Sequence, residues 1–385
     1  AAARGEGATS AAAGATAADV AAAGGAAADA DATPADTDKI RVVHEFERLP
    51  ERPGEVRVRA VAHLPSEIAR FELSLPDAGT MVELHGFERG GQNEQYAWDQ
   101  ETEMPAVTYR AAVNQSTGFG TAKAVDTTRW SIVHNEDVDT RFHYWWDPVA
   151  SDPGWEDAFA LADGATGYAA TELTYLGDYS LVTNETAMET QRLVVSDHAD
   201  LFSTTEEILG TLAYAADNMA VGARNDELTV FVMPDLVNSG YTPDLGEPEF
   251  FVAESIPATG YANTWVHEYV HTRQEWSKRS PMAWLDEGSA EYYEYLYPLQ
   301  RGTAAFVDFH RVLTDDRYSA ADLRYTETWQ SPSVEYDKGS RVVAALDARI
   351  RRATAGAKSF EQVIARLNDR TDSLTYDAFK ATVST

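Results

Sequence analysis

The stretch Trp265-Val-His-Glu-Tyr-Val-His-Thr-Arg-Gln274 carries two histidines four residues apart, with a glutamate directly after the first. No Gly or Pro interrupts residues 261–279, which favours a helix here. On a helix, His267 and His271 project from the same face about one turn apart, so their imidazoles can share one metal ion. Glu268 lies beside them, where a carboxylate could accept a proton from a metal-activated water. The stretch therefore predicts a metal-binding helix.

A second acidic segment, Ala283-Trp-Leu-Asp-Glu-Gly-Ser-Ala-Glu-Tyr-Tyr293, follows a predicted break at Pro281. Glu287 opens a predicted second helix, and Glu291 lies one turn further on, on the same face. Because a catalytic zinc site usually has three protein ligands and an open fourth position, Glu287 is the candidate third ligand. Glu291 suits an outer partner, which accepts the free ring N–H of a metal-bound histidine and fixes its tautomer. The predicted cofactor is Zn²⁺, one ion per chain.

These segments together resemble the gluzincin metallopeptidases, and most closely the aminopeptidase N-like and glycyl aminopeptidase-like enzymes. The resemblance covers roughly residues 200–385 and implies a thermolysin-like catalytic domain with Glu287 as the third zinc ligand. It extends to Val334-Glu-Tyr-Asp-Lys-Gly339, which matches the family's Tyr-x-Lys-Gly pattern. The resemblance implies that Tyr336 hydrogen-bonds the oxyanion. A neutral phenol is a good donor to a developing negative charge, which agrees with that role.

One element of the aminopeptidase N-like pattern has no clear match. Those enzymes bind the free amino terminus of the substrate with a Gly-x-Met-Glu-Asn segment, which this sequence lacks. The nearest stretch in the expected place, residues 245–255, is predicted to be an edge strand at the wall of the cleft. Its glutamates Glu247, Glu249 and Glu254 are weak candidates for substrate binding. The resemblance therefore implies zinc-dependent peptide hydrolysis and leaves aminopeptidase and open-cleft endopeptidase activity both open.

The charge of the chain restricts its partners. The sequence has 62 acidic and 31 basic residues, a net charge of −31, and the acidic residues are spread along its whole length. Such a chain repels nucleic acid and anionic membrane surfaces, so the expected partner is a peptide or protein substrate. Dispersed carboxylates with only six lysines are typical of proteins from extreme halophiles. An acidic secreted protein is the other interpretation.

Three further features bear on location and on the competing function. The absence of cysteine excludes disulfides and thiolate chemistry, and no apolar run is long enough to predict a membrane span. A flexible spacer behind a cleaved export signal would fit the amino terminus, which favours an extracellular or cell-surface location.

The competing interpretation of the function is a non-catalytic cell-surface binding protein that retains a relic zinc site. The complete set of expected catalytic residues favours the enzyme.

Composition and periodicity divide the chain into three parts. Residues 1–38 are almost entirely Ala, Gly, Asp and Thr and predict a disordered linker. Residues 39–198 contain short alternating runs separated by turn residues, which predict an antiparallel β-sandwich-like domain. Residues 199–385 begin with a capping box at Ser203–Glu206 and end in helical patterns. The predicted fold is therefore α+β, with a β-rich domain followed by a thermolysin-like catalytic domain whose carboxy-terminal half is helical.

Overall fold

The computed structural model describes residues 39–77, 79–90, 95–116, 122–147, 150–222 and 224–384, so the linker predicted over residues 1–38 lies outside the described residues. The strands are β1 (Ile40–Arg48), β2 (Glu55–His63), β3 (Ile68–Ser74), β4 (Thr80–His85), β5 (Phe87–Arg89), β6 (Tyr96–Trp98), β7 (Ala106–Ala112), β8 (Gln115–Ser116), β9 (Ala122–Asp126), β10 (Ser131–His134), β11 (Arg141–Trp146), β12 (Trp155–Leu161), β13 (Gly167–Ala169), β14 (Leu173–Leu176), β15 (Tyr179–Glu185), β16 (Thr190–Ser196), β17 (Glu227–Met233), β18 (Gly240–Tyr241) and β19 (Glu249–Ala253). The α-helices are α1 (Thr205–Asn218), α2 (Thr264–His271), α3 (Trp284–Arg301), α4 (Phe306–Thr314), α5 (Val334–Ala353), α6 (Glu361–Asn368) and α7 (Tyr376–Val383). The predicted α+β class, with a β-rich amino-terminal region and a helical carboxy-terminal half, is confirmed.

Three sheets form the β-rich region, with strand orders β12-β1-β2-β7-β4, β11-β3-β6-β5 and β13-β14-β10-β9-β8. Alternate side chains of β2 point into the core of this region. They are Val56, Val58, Ala60 and Ala62, and all four are buried there. One pair departs from the antiparallel prediction, because β1 and β12 run parallel. More than a hundred residues separate the two strands along the chain, and a long connection permits a parallel return that a hairpin cannot make.

The fourth sheet, of order β15-β16-β17-β19-β18, joins strands from both predicted domains. β16 pairs with β17 in parallel, so residues 179–196 share a sheet with strands of the part predicted to be catalytic. The predicted boundary between residues 198 and 199 therefore lies between strands that share one sheet, and it stays a prediction. Residues 173–182 lie within the region 39–198 that the sequence predicts to be β-rich. Gly177 interrupts them with a φ of 145°, a backbone conformation that favours glycine and turns the chain onto the new sheet.

The two faces of this mixed sheet have different partners. In β17, Val230 and Val232 point into the core shared with the helices, whereas Phe231 and Met233 point into a core shared with β10, β13 and β14. Because side chains alternate along a strand, one face of the sheet packs against the β-rich region and the other packs against the helices. The sheet forms the base on which α2 lies.

The metal-binding helix predicted within residues 261–279 is only eight residues long. Asn263 caps α2 by accepting the amide of Val266. After His271, the amide of Glu275, which would continue the helix, donates instead to Asn368. The amides of Arg273 and Gln274 have already shifted to the tighter i−3 pattern, with the carbonyls of Val270 and His271, so the helix ends in a 3₁₀-like turn before the bond to Asn368. None of the helices in the described ranges combines the length and apolar character needed to cross a membrane.

Candidate metal centre

The three predicted ligands converge on one point between α2 and α3. Nε2 of His267 lies 3.2 Å, and Nε2 of His271 3.3 Å, from the same Glu287 oxygen, Oε2. Both histidines are 6% exposed, and their ring centroids are 4.9 Å apart. The structure thus brings together the one-turn histidine pair and the distant carboxylate that the sequence singled out. Two imidazoles and one carboxylate, with one side open to a cavity, form a donor set that fits Zn²⁺.

Outer hydrogen bonds orient both imidazoles for metal binding. Nδ1 of His267 lies 2.9 Å from a Glu294 oxygen, and Nδ1 of His271 lies 2.8 Å from Oε1 of Gln274. The amide nitrogen of Gln274 in turn donates to the Asp286 carbonyl and the Ser289 hydroxyl, which fixes which end of the amide faces the ring. A ring that donates through Nδ1 keeps the Nε2 lone pair for a metal.

Glu294 takes the part predicted for Glu291. The nearest Glu291 oxygen lies 3.6 Å from Nδ1 of His267, beyond hydrogen-bond distance, and Glu291 accepts the hydroxyl of Tyr295 instead. Glu294 lies seven residues after Glu287, so it shares the same face of α3 two turns on. The i+7 spacing from Glu287 is visible in the sequence. Spacing alone does not decide whether the glutamate at i+4 or the one at i+7 bonds His267, because that depends on how α3 crosses α2.

The charges of the site depend on one another. Burial opposes ionisation, yet the two imidazoles hold the pKa of Glu287 well below its ordinary value. Burial likewise opposes the imidazolium, but the carboxylates of Glu287, Glu291 and Glu294 raise the pKa of His267 well above its ordinary value. The centre therefore favours positive charge, which is the electrostatic requirement for holding a cation.

Glu268 lies next to the ligands and is held by the edge strand. Its Oε2 accepts the hydroxyl of Thr242 at 2.8 Å, and burial raises the pKa of its carboxyl group. The strand approaches very closely, because a Cβ built on Gly240 would lie 2.4 Å from Oε1 of Glu268. A glutamate with a raised pKa binds a proton more readily than an ordinary carboxylate, which suits a group that accepts a proton and later returns it.

A cavity of about 650 Å³ opens above these residues, between α2, α3, α5 and the edge strand β18. Its strand wall is Gly240–Tyr241 rather than the predicted residues 245–255. β18 pairs with β19 and lies outside it, so β18 covers the edge of β19 that was predicted to face the cleft. A strand of only two residues carries no detectable periodicity, so the sequence pattern does not predict it.

The three weak candidates for substrate binding do not line this cavity. Glu249 is buried and accepts the backbone amides of Thr171, Glu172 and Leu173, at 2.6, 2.8 and 3.0 Å. It therefore ties β19 to the β-rich region. Glu254 accepts backbone amides of surrounding loops, among them that of Asp235 at 3.1 Å. Glu247 is exposed outside the cavity.

Tyr336, on the first turn of α5, lines the cavity beside the ligands. Its ring stacks on His267 with centroids 5.8 Å apart and planes 18° from parallel. Burial, together with the Glu287 carboxylate, raises the pKa of Tyr336 well above that of an ordinary phenol. The side chain therefore stays a neutral hydroxyl donor, as its predicted part requires.

No protein-family model matches the sequence, and no curated protein matches it. Solved structures do match the chain in fold. An aminopeptidase N family protein from Idiomarina loihiensis has a TM-score of 0.56 and 14% identity over 90% of this chain and 71% of that chain. An M1 zinc metallopeptidase from Deinococcus radiodurans has a TM-score of 0.53 and 16% identity over 91% of this chain and 89% of that one. A variant of the Deinococcus radiodurans enzyme, solved with a Tyr-Ser-Ala substrate, gives a TM-score of 0.55 and 16% identity over 91% and 90% of the two chains. The chain has the fold of the M1 zinc metallopeptidases.

Proposed function

We propose that the chain is a zinc-dependent metallopeptidase that cleaves peptide bonds in the cavity beside α2. The observation that carries this proposal is the convergence of His267, His271 and Glu287 on one point, with Glu268 directly beside it. The fold that the chain shares with M1 zinc metallopeptidases supports the same reaction class.

His267, His271 and Glu287 would hold the zinc ion. Bound there, zinc would supply Lewis-acid chemistry, which polarises a carbonyl group and acidifies water. Glu268 accepts the proton of the attacking water and passes it to the leaving amine. Tyr336 donates its hydroxyl proton in a hydrogen bond to the tetrahedral oxygen as negative charge develops there. Glu294 and Gln274 keep the two imidazoles in the tautomer and orientation that ligation needs.

The experiment compares the wild type with Glu268→Gln and His271→Ala in a chelator-sensitive assay on a mixed peptide library, with zinc content measured for each protein. We expect Glu268→Gln to keep its zinc and lose turnover by about a hundredfold or more, because only the proton acceptor is removed. His271→Ala should lose both zinc and turnover. Wild-type rates in Glu268→Gln would contradict the proposal.

The same assay separates the two modes of cleavage and the competing function. Products shortened by single amino-terminal residues indicate an aminopeptidase, and internal cuts indicate an endopeptidase. A wild-type protein that binds zinc but cuts no member of the library would be the non-catalytic binding protein with a relic site.

A further inference from the structure

The cavity beside the metal centre is lined by acidic side chains. Six of its lining residues carry carboxylates, and among the described residues that line it there is no Lys or Arg. Four of the six already have a part in the centre, since Glu287 is a ligand, Glu268 lies beside the ligands, and Glu291 and Glu294 lie around the outer face of His267. Asp337, the fifth, is 3.7 Å from the guanidinium of Arg317. Glu335 is the sixth.

Glu335 differs from the other five in its surroundings. It is half-buried on the first turn of α5, directly before Tyr336, and no hydrogen bond or ion pair of its carboxylate is found among the described residues. Lys278 lies within electrostatic range, but its ammonium is paired with Asp286. Burial and the neighbouring Glu287 carboxylate raise the pKa of Glu335 to about 7. A half-buried carboxylate without a hydrogen-bond partner is costly, and a cation that enters the cavity would relieve that cost.

We propose, on the basis of the peptidase function above, that Glu335 is a specificity-determining residue that receives a cationic group of the substrate next to the scissile bond. The chemistry it selects is an ammonium or guanidinium group. Two sources can supply it: a Lys or Arg side chain, or the free amino terminus of the peptide. The position beside Tyr336 places that charge near the reacting carbonyl, where pairing with Glu335 holds the peptide in register.

The test uses two matched pairs of peptides that the wild type cuts. One pair has arginine or citrulline at a residue flanking the cut bond, and the other has a free or an acetylated amino terminus. Citrulline keeps the shape of arginine and removes its charge. We expect Glu335→Gln to lower kcat/KM at least about tenfold for the charged member of one pair and to change the neutral member by less than about twofold. The pair that responds identifies the source of the cation.

A binding measurement provides a readout that does not depend on turnover. In the Glu268→Gln background, titration calorimetry should show that adding Glu335→Gln raises the Kd of the charged peptide about tenfold and leaves that of its neutral partner unchanged. Asp337→Asn is the matched control, because that carboxylate already has Arg317 and should not alter the preference for charge. All proteins are compared at one salt concentration, since salt screens such a contact.

The outcomes that overturn the inference are distinct from those that overturn the peptidase. If Glu335→Gln cuts charged and neutral peptides at an unchanged ratio while the wild type is active, the inference fails alone. If both members of each pair lose activity by one common factor, Glu335 has a structural part and the inference also fails. If the wild type with zinc cuts no peptide, the proposed function fails and takes the inference with it.

Discussion

Gly288 and Gly339 touch backbone to backbone where α3 crosses α5. A Cβ built on Gly288 would lie 2.7 Å from the Cα of Gly339, and one built on Gly339 would lie 2.8 Å from the Cα of Gly288. Gly288 directly follows the ligand Glu287, and Gly339 lies three residues after Tyr336 on the same helix. Because no side chain separates the helices at this crossing, the contact fixes how far Tyr336 stands from the metal ligands.

Replacing Gly288 by alanine should therefore disturb both stability and the site. The added methyl group meets backbone rather than a movable side chain, so we expect a loss of roughly 1–3 kcal/mol in the free energy of unfolding, measured in urea. Gly210→Ala in α1 is the control, because the atom facing its Cβ belongs to the flexible end of Arg301. That variant should be as stable as the wild type or slightly more so, since alanine favours a helix. Equal stability of Gly288→Ala and the wild type would contradict a backbone contact between α3 and α5 at this position.

Glu294 rather than Glu291 should control the affinity for zinc. Glu294→Gln weakens the bond that orients His267, so we expect zinc affinity to fall about 10–100-fold in a chelator competition. Glu291→Gln is the matched variant on the same helix and should have a smaller effect, because its carboxylate bonds Tyr295 instead. The reverse ranking would favour the partner that the sequence alone suggested.

Tyr336→Phe should separate metal binding from catalysis. The ring and its stacking on His267 remain, whereas the hydroxyl that would donate to the tetrahedral oxygen is lost. We expect kcat to fall on the order of a hundredfold, with zinc content and KM close to those of the wild type. A fall in zinc content that accounts for the lost activity would show instead that the tyrosine serves to maintain the centre.

Gly240→Ala tests whether the edge strand must approach the candidate proton acceptor. Its Cβ would meet Glu268 and also Thr264, with 2.6 Å to the methyl carbon of the threonine. We expect Glu268 to be displaced and kcat to fall at least about tenfold, because a small misplacement of a catalytic group is costly. Zinc content should be unchanged, since the nearest atoms to the added Cβ belong to Glu268 and Thr264 and not to the three candidate ligands. Full activity in this variant would show that β18 can move away without cost.

Salt should stabilise the protein if the acidic surface is an adaptation to high salinity. At a net charge of −31, repulsion among the carboxylates opposes the compact state, and salt screens it. We expect the Tm to rise as potassium chloride is increased from about 0.1 M to about 2 M. Sucrose at matched concentrations serves as the uncharged comparison. A Tm that responds equally to both solutes would argue against the halophile interpretation.

The sequence determined the chemistry of the centre and the class of the fold. Helical periodicity places His267 and His271 on one face of a helix. Their residue types, together with those of Glu268 and Glu287, are suited to metal binding and proton transfer. Strand alternation likewise predicted the β-rich region and the helical half. Such features depend on near neighbours in the chain, so a single sequence contains them.

Only the tertiary structure decided which residues surround that centre. The choice of Glu294 over Glu291 depends on the crossing of two helices, and the wall at Gly240 depends on a two-residue strand held by its neighbour β19. The burial of Glu249 and the pairing of β16 with β17 also depend on contacts between distant parts of the chain. Periodicity places a side chain on a face of its own element, but what that face meets is set by packing between elements, which no local pattern encodes.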